Sequence, residues 1–149
     1  MGDGIVLERI LSGSEKPTNL ALALLQEITE NFSEMRKIGE GGFGVVYKGV
    51  LHSRIVAVKR IIMSEHTIND RLFDREVKSL MKIISHRNVV RFLGFCSNTH
   101  REAIKEAGST ELVMAQIRER LLCFEYISNG SLDKHITGMT KIHFMQIFI

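Results

Sequence analysis

The spacing of apolar residues changes period several times along the chain, and each change marks an element. From Asn19 to Phe32 the apolar positions Leu20, Leu24, Leu25, Ile28 and Phe32 fall at helical spacing, which predicts an amphipathic helix. Residues 1–17 before it are mixed and end at Pro17, the only proline. β-branched and aromatic residues then take over, so a strand–loop–strand is expected at about 35–51 and a further strand at about 54–62. Over residues 70–84, Phe73, Val77, Leu80 and Ile84 make one stripe of a second helix, with Asp70 in the first turn, where a negative charge suits the helix dipole. Residues Val89–Cys96 read as a fourth strand and Arg120–Tyr126 as a fifth. About 20 residues separate these two, too many for a simple hairpin turn, and a short helix over Glu111–Arg120 is expected there. Asn129-Gly130-Ser131-Leu132-Asp133 closes the pattern as a turn with Ser131 in a helix-capping position.

Candidate chemistry is concentrated between Ile38 and Lys59. Gly39-Glu40-Gly41-Gly42-Phe43-Gly44-Val45-Val46 is a GxGxxGxV run, and Val56-Ala57-Val58-Lys59 is a β-branched strand ending in a lysine. Glycines allow a tight turn and let backbone N–H groups approach an anion. The spacing by itself is weak evidence, because dinucleotide-binding folds share it. Those folds open a helix at the glycines, whereas Val45–Leu51 reads as a strand; a P-loop needs Gly-Lys-Ser/Thr, whereas Gly44 precedes Val45-Val46. Glu76 lies on the helical stripe between Phe73 and Val77, where an acid is costly unless a cation meets it. Lys59 is the expected cation; the plainer alternative puts Glu76 at the edge of the stripe, facing solvent.

Composition narrows the class without changing it. The 149 residues, 44% hydrophobic and 25% charged, are those of one ordinary soluble domain. The net charge of +3 arises without basic runs, only pairs such as Arg36-Lys37 and Lys59-Arg60, and makes no case for nucleic-acid or membrane binding. Cys96 and Cys123 sit in apolar strand-like contexts without CxxC spacing, as expected of reduced core thiols. Glu8 and Arg9 interrupt any signal-peptide core, the myristoylation pattern lacks its Ser or Thr, and no apolar run approaches the roughly 20 residues that span a bilayer. A cytoplasmic location is the resulting expectation.

A strand, a glycine loop, a strand and a lysine strand form the order found in the protein-kinase small lobe. Residues from about 20 to 136 resemble that lobe in plant receptor-like serine/threonine protein kinases. The motifs that carry the resemblance are Asn31-Phe32-Ser33, Ile38–Gly49, Val56–Lys59, Phe73-Asp74-Arg75-Glu76-Val77, Ser85-His86-Arg87-Asn88-Val89-Val90 and Leu121–Asp133. The resemblance implies an α+β fold, a five-stranded antiparallel sheet packed on one main helix. It divides the chain into an N-terminal extension (1–32), the lobe (33–136, with an insertion at about 97–118) and a tail outside the family pattern (137–149). It also implies roles. The backbone of Gly39, Glu40, Gly41, Gly42, Phe43 and Gly44 would cover the phosphates of ATP, and Ile38, Val46 and Ala57 would sandwich the adenine. Lys59 would hold the α- and β-phosphates while Glu76 fixes its ammonium. Phe124 would be the gatekeeper, the backbone of Glu125 and Ile127 would meet the adenine edge, and Ser131 would lie near the ribose.

The departures from the family pattern are as specific. His86-Arg87-Asn88 precedes the fourth strand and ends in an amide that cannot act as a base, and His100-Arg101-Glu102 is a similar decoy. There is no His-Arg-Asp, no Asp-Phe-Gly and no Ala-Pro-Glu in the sequence, so the family's base and magnesium ligands are missing. The expectation is a small lobe truncated before the catalytic loop, the large lobe absent, binding ATP without transferring phosphate. Two rivals stand beside it: a non-catalytic module that binds intact kinases, and a truncated product without function. Uncovered apolar surface and the β-prone Ile142–Ile149 tail predict self-association or capture by chaperones.

Overall fold

Strand-forming residues in the middle of the chain build one six-stranded sheet in the computed structural model, which describes residues 2–41, 44–62, 70–82 and 90–126. The elements run α1 (Gly2–Ser12), β1 (Thr18–Asn19), α2 (Leu22–Ile28), a 3₁₀ turn (Glu34–Arg36), β2 (Lys37–Gly41), β3 (Gly44–Leu51), β4 (Arg54–Ile61), α3 (Asp70–Lys82), β5 (Phe92–Lys105) and β6 (Leu112–Glu125). Strand order across the sheet is β1-β5-β6-β4-β3-β2. The architecture is the expected α+β small lobe, but the five-stranded antiparallel sheet is corrected to a mixed sheet of six strands. The sheet has a sixth strand, β1, which pairs parallel to β5 at Thr18↔Gly94 and Asn19↔Phe95. Two extended residues after Pro17 carry no strand signal of their own; β5 recruits them.

Strand alternation sends side chains to two faces, and each face has its own cover. Val56, Val58, Tyr47, Leu121, Cys123 and Cys96 point to one side and bury Leu7, Ile10, Leu11, Leu24, Leu25 and Ile28 from α1 and α2. Leu122, Phe124 and Phe92 point to the other side and receive Phe73, Val77 and Leu80 of α3. Fully burying one such aliphatic or aromatic side chain stabilises the fold by about 1.5–3 kcal/mol. The two thiols serve the core as expected: Cys96 and Cys123 are free and buried, and burial pushes them up to about 11 and about 12 respectively.

The N-terminal region departs from the pattern. Residues 2–12, read as mixed, form α1, whose Leu7, Ile10 and Leu11 are buried at helical spacing. Gly2 and Gly4 weaken its helix propensity, so tertiary contacts hold it. The Arg91 guanidinium donates to the carbonyl of Leu11 at 2.8 Å and to that of Ile10, satisfying carbonyls that a helix end leaves without partners. The helix expected over Asn19–Phe32 is confined to Leu22–Ile28. Thr29 Oγ1 donates to the Leu25 carbonyl at 2.6 Å and accepts from the Phe32 N–H, and Glu30, Asn31 and Phe32 all take positive φ. Leu20 and Phe32 are buried from outside the helix rather than along it.

The largest correction concerns the helix expected over Glu111–Arg120. Leu112–Glu125 is a continuous strand, paired antiparallel with β5 from Lys105↔Leu112 onward. β5 correspondingly runs on to Lys105. The turn between them passes through Gly108 at φ +80, a conformation that glycine adopts without steric cost. Since β4 pairs with β6 only over Leu121–Glu125, this ribbon overhangs the sheet. Among the described residues no helix is long and apolar enough to cross a membrane.

Candidate functional site

Four of the residues singled out from the sequence lie on the α3 face of the sheet. In the antiparallel β3–β4 pair Val46 stands opposite Lys59, and in the β4–β6 pair Ala57 stands opposite Phe124 and Lys59 opposite Leu122. Directly opposed residues share a face, so Val46, Ala57, Lys59 and Phe124 line one surface. Val46 is 2% exposed, Ala57 and Phe124 0%, and Lys59 only 6%. Ile38 lies on β2 at an irregularity between Lys37 and Gly39 and is exposed. Gly39, Glu40 and Gly41 are the end of β2, paired with Val46, Val45 and Gly44 of β3. Glu125 closes β6: its N–H donates to the Arg91 carbonyl at 2.9 Å and its carboxylate accepts from the Arg91 N–H at 3.0 Å. Gly42, Phe43, Ile127 and Ser131 lie outside the described residues, as do residues 83–89 with His86-Arg87-Asn88 and the tail from 137.

Lys59 dominates the electrostatics of this face. Burial pushes its ammonium below the ordinary value, and the Glu76 carboxylate pulls in the opposite direction. Glu76 itself is on an exposed position of α3, between buried Phe73 and Val77. Among the described residues no salt bridge joins the two side chains, so Glu76 acts on Lys59 through its field. A lysine held this way is a poorly solvated cation facing a surface of apolar side chains, which favours a ligand that brings negative charge and an apolar body together.

Gly44 is needed for a reason the loop motif did not suggest. A Cβ there would stand 2.6 Å from the Arg60 carbonyl oxygen of β4, nearer than real Cβ contacts allow. Gly44→Ala is therefore expected to push β3 from β4 at the mouth of the site and destabilise by about 1–3 kcal/mol, the usual range for overpacking. Urea unfolding checks this; an unchanged midpoint would show that the strands shift freely.

Sequence reading placed Asp70 in the first turn of α3 but missed the two arginines that tie it to the sheet. Asp70, at the start of α3, accepts from Arg118 Nη2 at 2.5 Å and from Arg120 Nε at 3.2 Å. These two contacts hold its carboxyl below the ordinary range, the Arg118 hydrogen bond foremost. On the opposite face Glu119 accepts from Arg60 Nη2 at 2.5 Å and Nε at 3.0 Å, while the Arg60 guanidinium lies 4.3 Å from the Phe32 ring centroid. The Arg118-x-Arg120 spacing was the available signal, legible only on a strand.

Known proteins resemble the chain over most of its length. The chain is 37% identical over 133 residues to a calmodulin-binding receptor-like cytoplasmic kinase 3 of Arabidopsis thaliana, covering 87% of this chain and 22% of that protein. It is 36% identical over 135 residues to cysteine-rich receptor-like protein kinase 41 of the same plant, covering 90% of this chain and 17% of the relative. A G-type lectin S-receptor-like serine/threonine-protein kinase is 35% identical over 146 residues, covering 93% and 15%. The chain thus spans less than a quarter of the length of these relatives. Residues 32–147 match the model of the protein kinase domain, and the chain belongs to that family.

Proposed function

We propose that this chain binds the adenine nucleotide ATP on the α3 face of its sheet and, as a 149-residue polypeptide, transfers none of its phosphate. The observation that carries the reading is Lys59, a lysine 6% exposed on a face shared with Val46, Ala57 and Phe124. In this arrangement Val46 and Ala57 take the apolar base, and the Lys59 ammonium takes the α- and β-phosphates. Glu76 keeps that ammonium charged against desolvation, and the β2–β3 glycines bring backbone close to the phosphates. Protein kinases use ATP with magnesium in general; the residues assigned here hold the nucleotide, and none is assigned to the ion. Phosphoryl transfer depends on a positioned base and on charge stabilisation, and the sequence contains neither the His-Arg-Asp nor the Asp-Phe-Gly residues that supply them.

Titration of the purified chain with N-methylanthraniloyl-ATP tests the binding. A saturable signal with Kd on the order of 100 μM is expected, since one wall of contacts supplies only part of a nucleotide's affinity. Absence of saturation by millimolar nucleotide, with the circular dichroism of a folded chain, would overturn it. Incubation with radiolabelled ATP, magnesium and a generic protein substrate tests the second half. Incorporation at the level of a Lys59→Met control is expected, and phosphate above that control would refute the lack of transfer.

A further inference from the structure

We propose that Arg118 and Arg120, carried by the overhanging part of the β5–β6 ribbon, are positioning residues that grip Asp70 and thereby set where α3 presents Glu76 to Lys59. The consequence for nucleotide rests on the reading of the site above; the grip itself does not.

Three observations carry the inference. First, strand alternation puts Arg118, Arg120, Leu122 and Phe124 on one face of β6, the face that α3 covers. Second, Arg120 is a fixed post. It is 6% exposed; its Nη1 donates to the carbonyls of Asn98 at 2.8 Å and Glu119 at 2.9 Å, and its Nη2 donates to Thr99 Oγ1 at 3.2 Å. With those groups held by the ribbon, its Nε is aimed at Asp70 Oδ1. Third, both arginines lie beyond Leu121, the last β6 residue before the overhang to pair with β4. A sheet ending where β4 ends would carry neither in a ladder of its own. The ribbon beyond β4 therefore has a structural task at the start of α3.

The contacts under the rest of α3 cannot do this work. Phe73, Val77 and Leu80 rest on Phe92, Leu122 and Phe124, and apolar burial is non-directional, so a small slide or rotation of the helix costs little. Charged hydrogen bonds from two guanidiniums to two oxygens of one carboxylate are directional. They act at the helix N-terminus, where a carboxylate is already favoured by the dipole. Glu76 follows Asp70 by less than two turns of helix, so fixing one end fixes the reach of the other.

The test uses the full chain with its lysines labelled as 13C-dimethyl-lysine, following the Lys59 resonance by NMR titration alongside amide hydrogen exchange of α3. Asp70→Asn is expected to speed α3 exchange by about fivefold, the upper end for solvent-exposed charge pairs, and to lower the Lys59 midpoint. Glu76→Gln is expected to lower that midpoint to a similar extent without speeding exchange at the helix start. The double variant should lower it no further than either alone, and Asp70→Glu should restore it. Arg118→Gln, which leaves the buried Arg120 in place, is expected to give the same direction with a smaller effect, and it decides the matter where Asp70→Asn fails to fold. Faster exchange with an unmoved Lys59 midpoint would overturn the positioning role, and unchanged exchange would overturn the grip. Failure of the wild-type chain to bind N-methylanthraniloyl-ATP would overturn the nucleotide reading and leave both of these readouts standing.

Discussion

Replacing Lys59 with methionine is expected to raise the thermal midpoint of the chain while removing its nucleotide binding. Methionine keeps the length and apolar stem of lysine and deletes an ammonium that is 6% exposed. Removing a poorly compensated buried charge in favour of an apolar side chain is neutral or stabilising, by up to about 2 kcal/mol here, which corresponds to a rise of roughly 4–8 °C for a chain of this length. The gain should depend on pH in one direction. Burial lowers the folded-state pKa of Lys59 below its ordinary value of 10.5, so between those two values the unfolded chain holds a proton that the folded chain has released. Stability of the wild type therefore rises with pH in that window. The gap between variant and wild type is largest near neutrality and closes as pH approaches the ordinary value. Scanning calorimetry at several pH values checks this, and a methionine variant less stable than wild type at pH 7 would contradict the account of a desolvated lysine. The pairing of higher stability with lost binding is the signature of a group retained for a ligand rather than for folding.

The largest loss of stability is expected from Phe124→Ala. Phe124 is fully buried, its ring centroid lies 5.6 Å from that of Phe92, and it belongs to the cluster that seats α3. Truncating a buried phenylalanine costs about 3–5 kcal/mol, through lost transfer energy and the cavity left behind. Natural domains hold only about 5–15 kcal/mol in total, so this variant should unfold at a far lower urea concentration and loosen α3 first. Leu72→Ala provides the contrast: Leu72 is on the same helix but 56% exposed, and its loss should stay within about 0.5 kcal/mol. Equal urea midpoints for the two variants would show that the α3 cluster contributes little to the fold.

Local pattern was enough for the elements whose partners are close in sequence. β3 and β4 are joined by a two-residue turn at His52-Ser53, and their β-branched and aromatic residues were enough to predict strands at about 35–51 and 54–62. The stripe Phe73, Val77, Leu80 predicted α3 and its buried side equally well. The lysine strand and the glycine run were legible for the same reason: their chemistry sits in consecutive residues. The stripe left Glu76 with two readings, meeting Lys59 or facing solvent at the edge, and its position on α3 is an exposed one.

What remained was decided by partners far away along the chain. Residues Glu111–Arg120 have a pattern that suits a helix or a strand, and only pairing with β5 makes Leu112–Glu125 a strand. α1 is too short and too rich in glycine to persist alone; it is held by burial against the sheet and by Arg91, whose guanidinium reaches it across 80 residues of sequence. Thr18 and Asn19 become a strand because the edge of β5 is there to accept them. The grip on Asp70 combines both effects, since the arginines acquire a common face only once their segment is extended. Sequence alone thus determined the strand–glycine loop–strand–lysine order and with it the family, because backbone preference and side-chain period are local properties. Tertiary structure alone decided the depth of Lys59, the exposure of Glu76 and the reach of the ribbon, because burial and charge pairing depend on residues that meet only when the sheet closes.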